Sequence, residues 1–107
     1  KESFAKHAHT FEEEWIYVLE GRATAEIGDE KHLVQAGDFM GFATPAPAHV
    51  MRNTFDVECV YLMGGEDRAI DVVSYPDLGK RYLHMQSPGG AEYYELGEPT
   101  KPFAKPE

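Results

Sequence analysis

The stretch HAHTFEEEWIYVLEG, residues 7–21, sets two histidines one residue apart, then three glutamates, an apolar run and a closing glycine. Its second half, "EEWIYVLEG", is rich in aromatic and β-branched residues and stops at Gly21, the pattern of a β-strand. Side chains alternate faces along an extended chain, so His7 and His9 point the same way and both imidazoles can reach one point. Glu14 follows beyond "TFEE", a segment that can turn the chain onto an adjacent strand. Two neutral imidazoles and a carboxylate that converge form a borderline-to-hard site for a divalent metal. The competing reading is a solvated loop that happens to hold His and Glu, since surface histidines are common.

A second cluster decides between them. "GDFMGFATPAPAHVMRN", residues 37–53, begins with a Gly-Asp turn and carries His49 on the strand after a Pro-rich loop, with Asn53 near that strand's end. His49 is the candidate fourth ligand. By parity Met51 and Asn53 share its face, and Arg52 falls on the opposite one, where an ion pair is the expected role.

Around these clusters the chain reads as strand after strand. "RATAEI", "KHLVQ", "FMGFA", "HVMRN" and "VECVYLMGG" are separated by turn residues such as Gly28-Asp29 and by the loop "TPAPA", whose two prolines exclude a central strand. Short strands at such spacing suggest a sandwich or barrel, and no segment keeps a helical period. After Gly65 the character changes. "IDVVSY" pairs briefly, Pro76, Gly79 and Pro88-Gly89-Gly90 break the pattern, and "AEYYEL" is a further short strand. "GEPTKPFAKPE" is Pro-rich and reads as an arm or tail.

A length of 107 residues argues for one domain with a modest core. At 42% hydrophobic and 27% charged, the chain is too apolar for disorder. The formal net charge is −9, with 10 Lys and Arg against 19 acids, so nucleic acid and anionic membrane are excluded as favoured partners. The single cysteine, Cys59, allows no internal disulfide; it sits mid-strand as a small buried hydrophobe and suits a reducing, cytoplasmic setting. No apolar run is long enough to span a membrane, and no signal peptide is visible. The first residue is Lys, not Met, and the natural start is expected to have been removed or to lie outside this sequence.

The two clusters together resemble the cupin superfamily over roughly residues 5–65. His7, His9, Glu14 and Gly21 spell H-x-H-x4-E-x6-G, similar to the first cupin motif. Gly37-Asp38 through His49 and Asn53 is similar to the second, with Ala43 where a proline is usual and prolines at 45 and 47 instead. "EEEWIYVLEG", "AGDFMGF" and "YLMGGEDRAIDVVSYPDLGKR" resemble a group of small single-domain bacterial cupins, some of which carry the proposed label of sugar-phosphate isomerase. The resemblance implies an all-β double-stranded β-helix, the cupin jelly-roll barrel, over 1–75. A C-terminal extended arm over 76–107 would pack on the barrel or on a dimer mate. It implies one divalent transition metal (Mn, Fe, Ni, Co, Cu or Zn) on His7, His9, Glu14 and His49, with two positions left open on an octahedral ion. A cupin barrel normally has strands before its first motif, and here six residues precede His7. Those strands are expected either outside this sequence or from a partner, and a homodimer is the expected assembly.

Other residues carry two readings. Glu12 and Glu13 are candidates for a general acid or base beside the metal, and Glu13 is also the fallback ligand if the register slips by one; the alternative for both is solvated loop carboxylates. Tyr17, Phe42, Met51 and Tyr61 are candidate pocket-lining residues, and the alternative is plain core on one side of the strands with an interface on the other. His32 and His84 read as surface residues, and Lys80 and Arg81 as weak candidates for an anion. Two functions follow. One is a metal-dependent enzyme (isomerase, lyase or dioxygenase) acting on a small organic substrate. The other is a non-catalytic cupin that binds or senses a small molecule.

Overall fold

The computed structural model of the chain describes residues 4–98. Their strands are β1 (Ala8–His9), β2 (Glu14–Glu20), β3 (Arg22–Ile27), β4 (Glu30–Gln35), β5 (Phe39–Phe42), β6 (His49–Arg52), β7 (Val60–Gly65), β8 (Ile70–Tyr75), β9 (Lys80–Ser87) and β10 (Gly90–Leu96). All of their pairings are antiparallel. They form sheets in the orders β5-β2-β7, β4-β3-β6 and β1-β8-β9-β10. This is the all-β jelly-roll architecture expected from the sequence.

The alternation of β2 sets the core. Ile16 and Val18 point inward and are fully buried, against Ala23 and Ala25 of β3, Val34, Phe42 and Met51. Burying each of the first two stabilises the fold by roughly 1.5–3 kcal/mol. The two alanines keep β3 thin, so the facing sheets can meet over the larger side chains of β2. The other face of β2 carries Trp15, Tyr17 and Leu19, all exposed. Phe39 and Leu62 flank Tyr17 in register on either side.

Gly21 ends β2 with φ +77°, and a Cβ there would stand 1.9 Å from the Glu58 carbonyl oxygen. No other residue type combines that backbone turn with that approach.

The chain beyond Gly65 is more regular than its breakers suggest. A 3-10 turn over Pro76–Leu78 ends at Gly79, in the left-handed region, and delivers the chain into β9. β9 pairs with β8 on one side and β10 on the other. Pro76, Gly79 and the Pro88-Gly89-Gly90 cluster therefore flank an eight-residue strand. Over 80–96 the segment read as an arm consists of two strands that extend the sheet begun by β1 and β8. The Pro-rich end of that arm, 99–107, lies outside the described residues.

Candidate metal centre

His7 and His49 are brought together by the main chain itself. They form an isolated antiparallel bridge, with His7 N–H donating to the His49 carbonyl at 3.1 Å and His49 N–H to the His7 carbonyl at 2.8 Å. His9 follows on β1, on the same face. Glu14 opens β2 from the opposite side, between Phe42 of β5 and Gly65 of β7. Gly65 permits that approach, since a Cβ there would lie 2.5 Å from the Glu13 carbonyl oxygen.

All three imidazoles present Nε2 to one carboxylate oxygen. Glu14 Oε1 is 3.3 Å from His7, 3.0 Å from His9 and 3.4 Å from His49. Ligand atoms about 2.1 Å from a shared metal are separated by ~3.0 Å at right angles and ~3.4 Å at tetrahedral angles, so these spacings are those of a coordination shell. His7, His9 and Glu14 form a set whose ligand atoms all lie within 4.8 Å of one another. His49 stands outside that set and reaches it through Glu14.

The far ring nitrogens fix which atoms are offered. His7 Nδ1 donates to the Ala5 carbonyl at 2.8 Å, which leaves Nε2 with its lone pair. His9 Nδ1 lies 2.6 Å from Asp71 Oδ2. Asp71 is 0% exposed, and its Oδ1 accepts the backbone N–H of Phe11 at 2.8 Å and of Val72 at 2.9 Å. His49 is 3% exposed and stacked on Phe42 at 3.8 Å; its Nε2 faces Glu14 Oε1 at 3.4 Å, and its Nδ1 has no hydrogen-bond partner among the described residues. A buried imidazole so poorly satisfied carries a desolvation cost that a metal bond at Nε2 would offset. The donor set therefore fits a divalent metal.

The charges are strongly coupled. Burial pulls the His9 pKa down, but hydrogen bonds to Glu14 and Asp71 and their charges outweigh it and raise it to about 9. Burial pushes Glu14 up, but hydrogen bonds from His49, His7 and His9 hold it well below the usual carboxylate range.

The remaining candidates divide. Phe42, stacked on His49, and Met51 are buried in the core, and Tyr61 is half-buried against it. Tyr17 is 38% exposed on the outer face of β2, away from Glu14. Glu13 is exposed, and its backbone N–H donates to Glu66 Oε1 at 3.0 Å. Arg52 pairs with Glu26. Two further carboxylates belong to the cluster: Glu12, weighed above as an acid or base or a solvated loop carboxylate, and Asp71, which the sequence reading did not single out. Glu12, 8% exposed, accepts the Arg68 N–H at 2.7 Å and faces His9 Nδ1 at 3.7 Å, and with His9 and Asp71 it makes a second group able to hold an ion. Asp71 was detectable in "IDVVSY" as a charge in step with Val73 and Tyr75, on the face meant for the interior.

A sequence profile of the cupin domain matches residues 1–65. The chain belongs to the cupin family. Among solved structures this cupin is similar to a protein from Acidithiobacillus ferrooxidans with the proposed name sugar phosphate isomerase. The two are 35% identical with a TM-score of 0.77, over 88% of this chain and 59% of that one. It also shares its fold with a protein from Silicibacter pomeroyi named as a sugar phosphate isomerase of the cupin superfamily. That likeness has 22% identity and a TM-score of 0.78, over 94% of this chain and 64% of that one. The cupin described here thus spans about three-fifths of the length of both. No curated protein sequence matches it. Among its described residues no helix is long and apolar enough to cross a membrane.

Proposed function

We propose that this cupin holds one divalent transition-metal ion, from among Mn, Fe, Ni, Co, Cu and Zn, on His7, His9, Glu14 and His49, and acts as a metal-dependent enzyme on a small organic substrate. The observation that carries this reading is the convergence of three Nε2 atoms on Glu14 Oε1 at 3.0–3.4 Å, with buried His49 otherwise unpartnered. When bound, the metal would supply Lewis-acid polarisation or a site for an oxygen ligand. The chain's own groups do the rest. Ala5 and Asp71 orient His7 and His9, and Phe42 holds the His49 ring in place and keeps water from it. Glu13, at the exposed edge before β2, is the candidate proton carrier. The neighbours' names favour an isomerase within this reading.

Elemental analysis after reconstitution tests the metal site. His49→Ala is expected to lose the ion while keeping the β-sheet circular dichroism spectrum. Unchanged metal content in that variant would overturn the ligand assignment. A homodimer in a reducing, cytoplasmic setting belongs to the same reading, supported by the exposed apolar outer face of β2 and by the lone Cys59.

A further inference from the structure

Beside the metal centre lies a cavity of about 340 Å³ lined by Val73, Tyr75, Leu78, Tyr82 and Tyr93. That volume is within the range of small-molecule sites, ~300–1,000 Å³. Two contacts join it to the histidines. Val73 is the cross-strand partner of His9, so the two side chains stand on one face of the sheet. The Tyr75 ring lies 6.0 Å from that of His7 and 5.9 Å from that of Tyr82, spanning the step from metal ligand to cavity wall.

The wall has a definite chemistry. It offers two aliphatic side chains and three phenol rings, and Tyr93 is held flat against His84 with ring centroids 4.7 Å apart and 9° between planes. Flat, polarisable walls suit a planar ring, by edge-to-face or offset stacking. A phosphoryl group needs cations or a nest of N–H donors. The two cations nearest in sequence already have partners: Lys80 Nζ lies 3.3 Å from Glu95 Oε1, which also accepts the Tyr82 hydroxyl at 3.3 Å, and Arg81 donates to the Gly97 carbonyl at 2.9 Å. No cation lines the cavity among the described residues.

We infer that the ligand of this site carries a planar, largely apolar ring seated among Tyr75, Tyr82 and Tyr93, and an oxygen-bearing head directed at His7, His9 and Glu14. A phosphorylated sugar does not match this wall. The head's role rests on the metal reading above; the seat of the ring does not.

Two hydroxamates with the same chelating head separate these parts. Benzohydroxamate is expected to bind the zinc-loaded protein roughly tenfold or more tighter than acetohydroxamate in calorimetry, the worth of burying a phenyl ring. Tyr82→Ala, and independently Tyr93→Ala at the exposed rim, are expected to erase that advantage while leaving acetohydroxamate binding unchanged. Equal affinities for the two hydroxamates, or tighter binding of glucose 6-phosphate than of benzohydroxamate, would overturn the proposal. The ring is also tested without metal, by soaking crystals of the metal-free protein in 4-bromophenol. A bromine anomalous peak among Tyr75, Tyr82 and Tyr93 supports the seat, and its absence there overturns it. If the protein retains no zinc, the metal reading alone fails, and the bromine peak still decides the ring.

Discussion

At the scale of single residues, the pair His9–Asp71 governs how well the site can work. Asp71 is fully buried, with Oδ1 occupied by two backbone donors and Oδ2 facing His9 Nδ1. Asp71→Asn keeps the shape and can keep the backbone bonds, but its amide N–H₂ then faces His9 and favours the tautomer protonated on Nε2. Metal affinity is expected to fall about 10- to 100-fold, read by chelator competition, with the fold intact. The four candidate ligands could be named from the sequence because the cupin motifs fix their positions by local spacing. Asp71 showed only as a charge on the inward face of "IDVVSY"; its place beside His9 could not be read, because it joins the cluster only when β1 pairs with β8, and no local pattern announces that pairing. Glu12 could not be told from a solvated loop carboxylate for a related reason: its burial depends on the Arg68 backbone N–H closing over it.

The same residues set a pH dependence. The folded-state pKa of His9 is raised from 6.5 to about 9. In the metal-free protein its contribution to stability is therefore fully present below pH 6.5 and lost as pH rises through about 9. Thermal denaturation in EDTA is expected to show a falling Tm across that window. Metal uptake runs the opposite way, because the ion needs His9 deprotonated, so affinity is expected to rise over the same range.

At the scale of elements, the β2–β3 connection is the least tolerant of change. Gly21→Ala places a methyl group against the Glu58 carbonyl and forces a left-handed backbone on a residue that avoids it. It is expected to destabilise the fold by more than about 2 kcal/mol, measured by urea unfolding. Strands β2 to β7 were legible because their composition and turns agree. β9 was not, because its flanking prolines and glycines look like breakers dispersed through a tail. They stand at its two ends, so they delimit the strand, and the register with β8 supplies what propensity alone does not.

At the scale of the molecule, a ligand that binds only the folded chain stabilises it by mass action. At a concentration of about a thousand times Kd, zinc is expected to add roughly 4 kcal/mol, seen as a raised Tm that EDTA reverses. The outer face of β2 offers a separate test. Tyr17→Glu is expected to lower the mass found by light scattering to that of one chain, with metal content unchanged. A mass that stays constant would overturn the proposed homodimer contact through this face.

The reciprocal main-chain bonds between His7 and His49 have a kinetic consequence. Two candidate ligands far apart in sequence, residues 7 and 49, share one bridge, so the ion finds its full set of donors only after those distant segments have met. Closing so long a loop is among the slower steps for an antiparallel fold. Capture of a coloured ion such as cobalt during refolding would therefore act as a clock for barrel closure, ticking at the moment the segments of His7 and His49 join.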